Sequence, residues 1–562
     1  MLNSYTFSLP EKLENAVRLT FDKWENQDNI RKIWEKDAGL WTGDDEAKWL
    51  GWLESVRAEL EKTEEYQDFA EDAREFESIV LLGMGGSSLC PEVLAETFGK
   101  KKFHILDSTV PAQIKQLENK LDLEKTLFIV ASKSGSTLEP NTFFQYFFEK
   151  VSEKTGAENA GRQFVAITDP GSKMQKVAEE NGFRKIFFGN PEIGGRYSAM
   201  SPFGMAAGAA MGLDVESFLQ DAGEMVEACR AENPSENPGA ALGIILGVCS
   251  QNGSDKLTIF TSPEIYDTGA WLEQLIAEST GKQGKAIIPV DLEEIAKPED
   301  YGEDRIFAYL KLKTTSDDSL DEKVALLRDS GMPTVEIVLE EKINLGQEFF
   351  RWEFATAVAG AVMNINPFNQ PDVESAKIEA RKLTEEYEQT GELPTEEPIF
   401  EEAGIKLFTS AEYAESLEKF VEGEKTLQKY LEAHLAHIEE NDYFALLAYI
   451  ERNAENQSVL QKIRHKVFDE KLVATCLGFG PRFLHSTGQA YKGGANNGVF
   501  LQITSEDAAD FPVPGQKYTF GVVKAAQARG DFQVLLDRER RALRVHLGAD
   551  VSDGLKKILS LI

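Results

Sequence analysis

The chain has 562 residues, 42% apolar and 28% charged, with a formal net charge of −35. That length exceeds one hydrophobic core and predicts three or four domain-sized units, and the composition excludes long disorder. The acidity argues against nucleic acid or an acidic membrane surface as partner, and no run of about 18 apolar residues predicts a membrane span. The N-terminus lacks the basic-then-apolar order of a secretion signal. Four dispersed cysteines, Cys90, Cys229, Cys249 and Cys476, suit a reducing cytoplasm. His434 and His437 stand three apart in what reads as an exposed helix, and no histidine spacing predicts a metal.

Residues 1–70 read as helical, with apolar residues spaced by three and four and tryptophans 24, 34, 41, 49 and 52 as packing anchors. From about 71 the pattern changes. "SIVLLGMGG", "KFHILDS", "TLFIVASKS", "QFVAITDPGS" and "KIFFGNPEI" are short apolar runs between amphipathic segments. Such alternation predicts a parallel sheet with helices on both faces. After the break "AENPSENPGA", a second set follows: "KLTIFTSPE", "KAIIPVD", "IFAYLKLK" and "TVEIVLEE". The charged stretch Glu386–Glu402 reads as a connection. A third αβ unit is expected beyond it, with helices over 411–467 and strands at "LVATCLGFG", "GVFLQIT", "YTFGVVK" and "FQVLLD".

Five stretches carry chemistry. "LLGMGGSSLCPEVL" (81–94) leaves a strand and opens a helix, so glycines and free helix N–H groups can meet an anion. It approximates a dinucleotide fingerprint, with Asp107 ending the next strand, but Ser88 stands at the third glycine. On this stretch alone a nucleotide, another anion and a tight turn all stay open. "SKSGSTLEP" interleaves Ser132, Ser134, Ser136 and Thr137 with Gly135, and Thr137 is expected to cap the next helix. Four hydroxyls at a helix start suit a tetrahedral anion, with phosphate the natural occupant. "EIGGRYSAMSPFG" offers Arg196, which alone would read as a surface ion-pair partner. "EQLIAESTGKQGKAIIPV" puts Glu278 at a helix end before a polar turn. "MNINPFNQPDVESAK" sets Gln370 and Lys377 about two helical turns apart, on one face.

Together these stretches resemble the phosphoglucose isomerase family. "GGRYSAMSPFG" looks like one family signature, and "PFNQPDVESAK" like the second, with Asp372 where the family usually has Gly or Ala. "GMGGSSL", "SKSGSTLE" and "ESTGK" match further segments in the same order. The segments 477–504 and "IWEKDAGLWTG" look like the subtype fused behind a transaldolase. The resemblance implies an α/β fold of tandem sugar-isomerase domains. The units are then a helical extension (1–70), a first domain with the phosphate loop (71–240), a second with the catalytic glutamate (241–395) and a C-terminal αβ region (396–562). It implies interconversion of glucose 6-phosphate and fructose 6-phosphate, with mannose 6-phosphate use or a non-catalytic sugar-phosphate sensor as alternatives. Gly86, Ser87, Ser132, Lys133, Ser134 and Thr137 match the phosphate site, Glu278 the base, Arg196 the oxyanion partner, and Gln370 and Lys377 residues around the sugar ring, the lysine assisting ring opening. No metal or organic cofactor is implied; the partner is a small sugar phosphate, and family members are commonly dimers. The family's ring-opening histidine has no counterpart, since none lies between Glu278 and Gln370. His485, in "FLHSTGQAYKGG", is expected to take that role or contact the sugar.

Overall fold

The computed structural model describes every residue except 316 and 422. Strand β1 (Ser4–Ser8) opens the chain. Strands β2 (Ser78–Leu82), β3 (Phe103–Leu106), β4 (Thr126–Ala131), β5 (Phe164–Thr168) and β6 (Lys185–Phe188) form one parallel sheet in the order β3-β2-β4-β5-β6. Strand β4 is buried on both faces throughout, which is why its sequence is continuously apolar rather than alternating. A second sheet contains β7 (Lys256–Thr261), β8 (Ile288–Asp291), β9 (Arg305–Leu312) and β10 (Thr334–Leu339), ordered β1-β10-β9-β7-β8. A third contains β11 (Phe400–Glu402), β12 (Ile405–Phe408), β13 (Tyr443–Tyr449), β14 (Ala474–Phe479), β15 (Gly498–Ser505) and β16 (Arg541–Leu547), ordered β11-β12-β16-β15-β13-β14. Helices flank the sheets, so the fold is α/β.

In the first sheet the direction of winding reverses between β2 and β4. The loops leaving the carboxyl ends of such neighbours diverge and open a crevice, the preferred ligand position of open α/β sheets. Both glycine- and serine-rich stretches, 83–88 and 132–137, lie there.

Several local expectations change. The first residues are not helical: β1 pairs antiparallel with β10, Ser4 opposite Val338. "YTFGVVK" and "FQVLLD" are not strands. They belong mainly to the helix Phe520–Asp537, started by Thr519 accepting a bond from the Val522 N–H. Short β-branched runs fit either structure, and length decides for the helix. Conversely, Tyr443–Tyr449 interrupts the expected helices as a fully buried strand. The connection over 386–402 is partly ordered: the helix Pro371–Thr390 extends into it and β11 closes it. His434 is fully buried rather than exposed, with Nδ1 3.0 Å from the Tyr413 hydroxyl; burial, with His437 beside it, pushes its pKa down to about 3. Among the described residues no group of three His, Cys, Asp or Glu could hold a metal, and no helix is long and apolar enough to cross a membrane. The four cysteines are buried and unpaired.

The tryptophans are packing groups as expected. Trp24, Trp41 and Trp52 are buried and Trp34 and Trp49 pack against the same core, which is shared by the N-terminal segment and the first two sheets. The third sheet has a core of its own. Its helix Phe520–Asp537 packs along Pro371–Thr390.

Between the second and third sheets lies a cavity of about 140 Å³. Asp267, Glu273 and Asp291 line it with Arg452, Arg464 and Arg482. Burial, reinforced by Glu92, pushes Asp267 up to about 8, and burial pushes Asp291 up to about 7 against the pull of Arg464. A carboxyl whose native pKa exceeds its unfolded value, about 3.9 for Asp, gives stability that is complete below the unfolded value and lost as pH rises through the native one. The cluster should therefore lower the melting temperature progressively between about pH 4 and 8. Differential scanning fluorimetry across that range should show the decline in the wild type and a shallower one in Asp267→Asn.

Candidate functional site

The crevice loops are shaped by two glycines. A Cβ on Gly86 would meet the Gly195 carbonyl oxygen at 2.0 Å, so only glycine lets the Arg196 loop rest on the first loop. Gly135 has φ +65°, and a Cβ there would lie 2.1 Å from the Met174 nitrogen, so the second loop also turns where only glycine fits. Ser132 is buried, and its Oγ has no hydrogen-bond partner. An orphaned buried hydroxyl facing a crevice is available to a ligand. Thr137 occupies the expected cap position of Leu138–Thr155, but its side chain makes no cap bond. Its side chain lines the crevice with Gly86, Ser87 and Ser132. Lys133 also reaches this rim, with Nζ 2.7 Å from Asp169 Oδ2 and donating to the Asn190 carbonyl at 3.0 Å. Ser134 is exposed and its Oγ lies 2.6 Å from Ser136 Oγ.

Arg196 forms the floor. It is 4% exposed, not the surface residue its sequence context suggests. Nη1 lies 3.1 Å from Glu278 Oε1 and donates to Gln370 Oε1 at 3.1 Å. Nη2 donates to the Pro367 and Asn369 carbonyls at 2.9 and 2.8 Å, and Nε to Ser279 Oγ at 2.8 Å. Glu278 sits in the last turn of the helix Thr268–Thr280. One helical turn earlier, Gln274 donates to Glu278 Oε2 at 3.1 Å and to the His485 carbonyl at 2.7 Å. Each carboxylate oxygen of Glu278 is thus held by one donor, leaving a lone pair on each for a third group.

His485 closes the crevice from the third sheet, in the turn Arg482–His485 after β14. Its Nε2 lies 2.9 Å from Glu139 Oε1, which also accepts from Gln527 Nε2 at 2.6 Å. Burial pushes the Glu139 carboxyl up, but His485 and its other donors outweigh this and hold it below the ordinary range. A carboxylate at Nε2 orients the ring and leaves Nδ1 as its free nitrogen.

Nine of the eleven residues singled out from the sequence line this crevice; Ser134, exposed and paired with Ser136, does not. Lys377 does not line the crevice: it is half-buried, its Nζ bonds Glu374 Oε1 at 2.7 Å, and its charge helps hold the Glu139 carboxyl down. Asp107, the acidic residue of the dinucleotide alternative, is buried and accepts from Arg482 Nη1 at 2.8 Å, so it is not free for a ribose. Asp372, the departure from the family signature, docks the third lobe: Oδ2 accepts from Gln489 Nε2 at 2.5 Å, and Oδ1 pairs with Arg538. Sequence reasoning missed Glu139, Gln274 and Gln527. Gln274 had a readable signal, a polar residue four before Glu278 on a largely buried helix; Gln527 had none.

Residues 53–302 match the family model of phosphoglucose isomerase. A probable glucose-6-phosphate isomerase of Methanococcus maripaludis is 27% identical over 370 residues, 58% of this chain and 82% of the relative. A hypothetical protein of Thermus thermophilus superposes with TM-score 0.58 at 24% identity, over 67% of this chain and 99% of its own. A glucose-6-phosphate isomerase of Chlamydia trachomatis superposes with TM-score 0.51 at 21% identity, over 62% and 76%. The two structures share the fold.

The hydroxyl geometry separates an anion site from a helix cap. Calorimetric titration with inorganic phosphate should show Ser132→Ala and Thr137→Ala each weakening binding by about tenfold, the scale of one hydrogen bond to a charged group. Ser136→Ala, outside the crevice, should bind as the wild type does.

Proposed function

We propose, for a chain that carries a phosphoglucose isomerase domain over residues 53–302, that it interconverts glucose 6-phosphate and fructose 6-phosphate. The observation that carries the reading is the pairing of Glu278 with Arg196 at 3.1 Å, across the crevice from the unpartnered Ser132 hydroxyl. A phosphate held at 132–137 by hydroxyls and N–H groups leaves the other end of a six-carbon sugar over Glu278. The C–H beside a carbonyl is weakly acidic. A carboxylate within reach, next to a cation that favours the developing oxyanion, lowers the barrier to its removal.

Glu278 takes the proton from C2 of the open aldose, giving a cis-enediolate, and returns it to C1 to form the ketose. The Arg196 guanidinium is fixed by five donor contacts, so its field need not reorganise as charge moves. The sugar must first open. His485 is the group for that step: Glu139 at Nε2 leaves Nδ1 to exchange a proton with the ring oxygen or the anomeric hydroxyl. Lys377 would reach the sugar only after its side chain swings away from Glu374. Gln370, held by Arg196, contacts the sugar hydroxyls.

Two measurements test this. Exchange of the C2 proton of glucose 6-phosphate with solvent should fall at least a thousandfold in Glu278→Gln; undiminished exchange rejects the mechanism. In His485→Gln, anomerisation should slow about 10²- to 10⁴-fold, the usual yield of a general acid–base group, while KM changes little. Wild-type anomerisation in that variant together with slow anomerisation in Lys377→Met would move ring opening to the lysine.

A further inference from the structure

We infer that Lys282 is a positioning residue for the isomerisation: it locks the end of the helix that carries Glu278 to the turn that carries Gln370. The inference rests on the reading of Glu278 as the base.

Lys282 ends the "ESTGK" stretch, two residues past the helix Thr268–Thr280. It is 3% exposed, and no carboxylate bonds its ammonium. Nζ donates instead to two main-chain carbonyls, Ser279 at 2.9 Å and Asn366 at 2.7 Å. Burial, together with repulsion from Arg196, pushes its pKa well below the ordinary lysine value. Burying an amine without a carboxylate is costly. Capping a helix end does not require that cost, because a solvent-facing lysine or water can take the last carbonyls.

The two bonded carbonyls explain the placement. Ser279 follows Glu278 directly, and its side chain is the one Arg196 Nε holds. Asn366 opens the 366–370 turn, whose Pro367 and Asn369 carbonyls take both hydrogens of Arg196 Nη2. Two buried basic side chains thus bridge the same pair of segments, Arg196 and Lys282. The turn is stiff on its own account, since Asn366 Oδ1 accepts from the Phe368 N–H at 2.9 Å and Nδ2 donates to Asp45 Oδ1 at 3.0 Å. The lysine's own turn is tied down as well: Lys285 Nζ donates to the Met363 carbonyl at 2.7 Å, and the Gly284 N–H to the Gly493 carbonyl of the third lobe at 3.0 Å. Without Lys282, Arg196 would be the one side chain among the described residues left bonding both Ser279 and the 366–370 turn directly. The guanidinium would then have to serve as a hinge and as the oxyanion partner at once.

The test compares two variants with the wild type and with Glu278→Gln. Lys282→Met removes both donor bonds and keeps the bulk. Its kcat should fall ten- to a hundredfold, the scale of about 1 Å of misplacement, with KM within about threefold because the phosphate loop is untouched. Lys282→Gln keeps an NH₂ that can donate to both carbonyls, and should recover most of the lost kcat. If Lys282→Met does not fold, Lys282→Ala assayed with and without added ethylamine replaces it, and the amine should restore activity. Wild-type kcat in Lys282→Met overturns the inference. So does an equal loss in the Met and Gln variants that tracks a fall in melting temperature, or absence of any amine rescue. An inactive Glu278→Gln beside a normal Lys282→Met rejects this role alone, whereas an active Glu278→Gln rejects the base assignment beneath it.

Discussion

The Arg196 guanidinium is the contact on which the rest of the site depends. It meets Glu278, Ser279 and three groups of the 367–370 turn, and its own loop rests on Gly86, after the first sheet's β2. A buried arginine has no neutral alternative at physiological pH, so an environment that buries it must supply acceptors in its fixed fork geometry. Here most acceptors are main-chain carbonyls and neutral side chains rather than carboxylates. Glu278 is its one anionic contact among the described residues, so protonation of that carboxylate would leave the guanidinium without a counter-charge.

Much of this was legible from residue order alone, and the reasons are local. The β2 and β4 runs are continuously apolar because both their faces are covered, and the loops after them are rich in glycine and serine because they end at the winding reversal. Glu278 and Gln370 could be located because each stands beside a break in a regular pattern. What stayed hidden depended on distant contacts. Nothing around Gln527 distinguishes it from a solvated helix residue; its meaning comes from Glu139, 388 positions away. The apolar run within Phe520–Asp537 reads equally as strand or helix until its packing against Pro371–Thr390 is known. Lys377 has the spacing to share a face with Gln370, but spacing does not say which partner a long side chain takes, and here it takes Glu374.

Hydrogen bonds cross between the body and the third lobe in both directions, but the ion pairs among the described residues run one way. The body presents carboxylates, Asp107, Glu139 and Asp372, and the lobe presents donors, Arg482, His485, Gln527, Gln489 and Arg538. In a chain of net charge −35, collecting donors on one face draws the lobe to a defined place while the remaining surfaces repel. Buried charge-assisted bonds of this kind are strict about geometry, which suits a lobe whose His485 lines a crevice built by other elements. The Asp372 departure from the family signature then has a local cause, since a Gly or Ala there would leave Gln489 and Arg538 without that carboxylate.

Strand β1 bears on how the protein comes into being. Ser4 to Ser8 pair only with Thr334 to Val338, and Asn3 bonds Gln347 and Glu348. At ribosomal rates of about 5–20 residues per second, the first strand waits roughly 15–70 s for its partner to be made. Through that interval its exposed edge is a liability on the nascent chain. The second sheet is therefore sealed late, by a strand made about 330 residues before its partner.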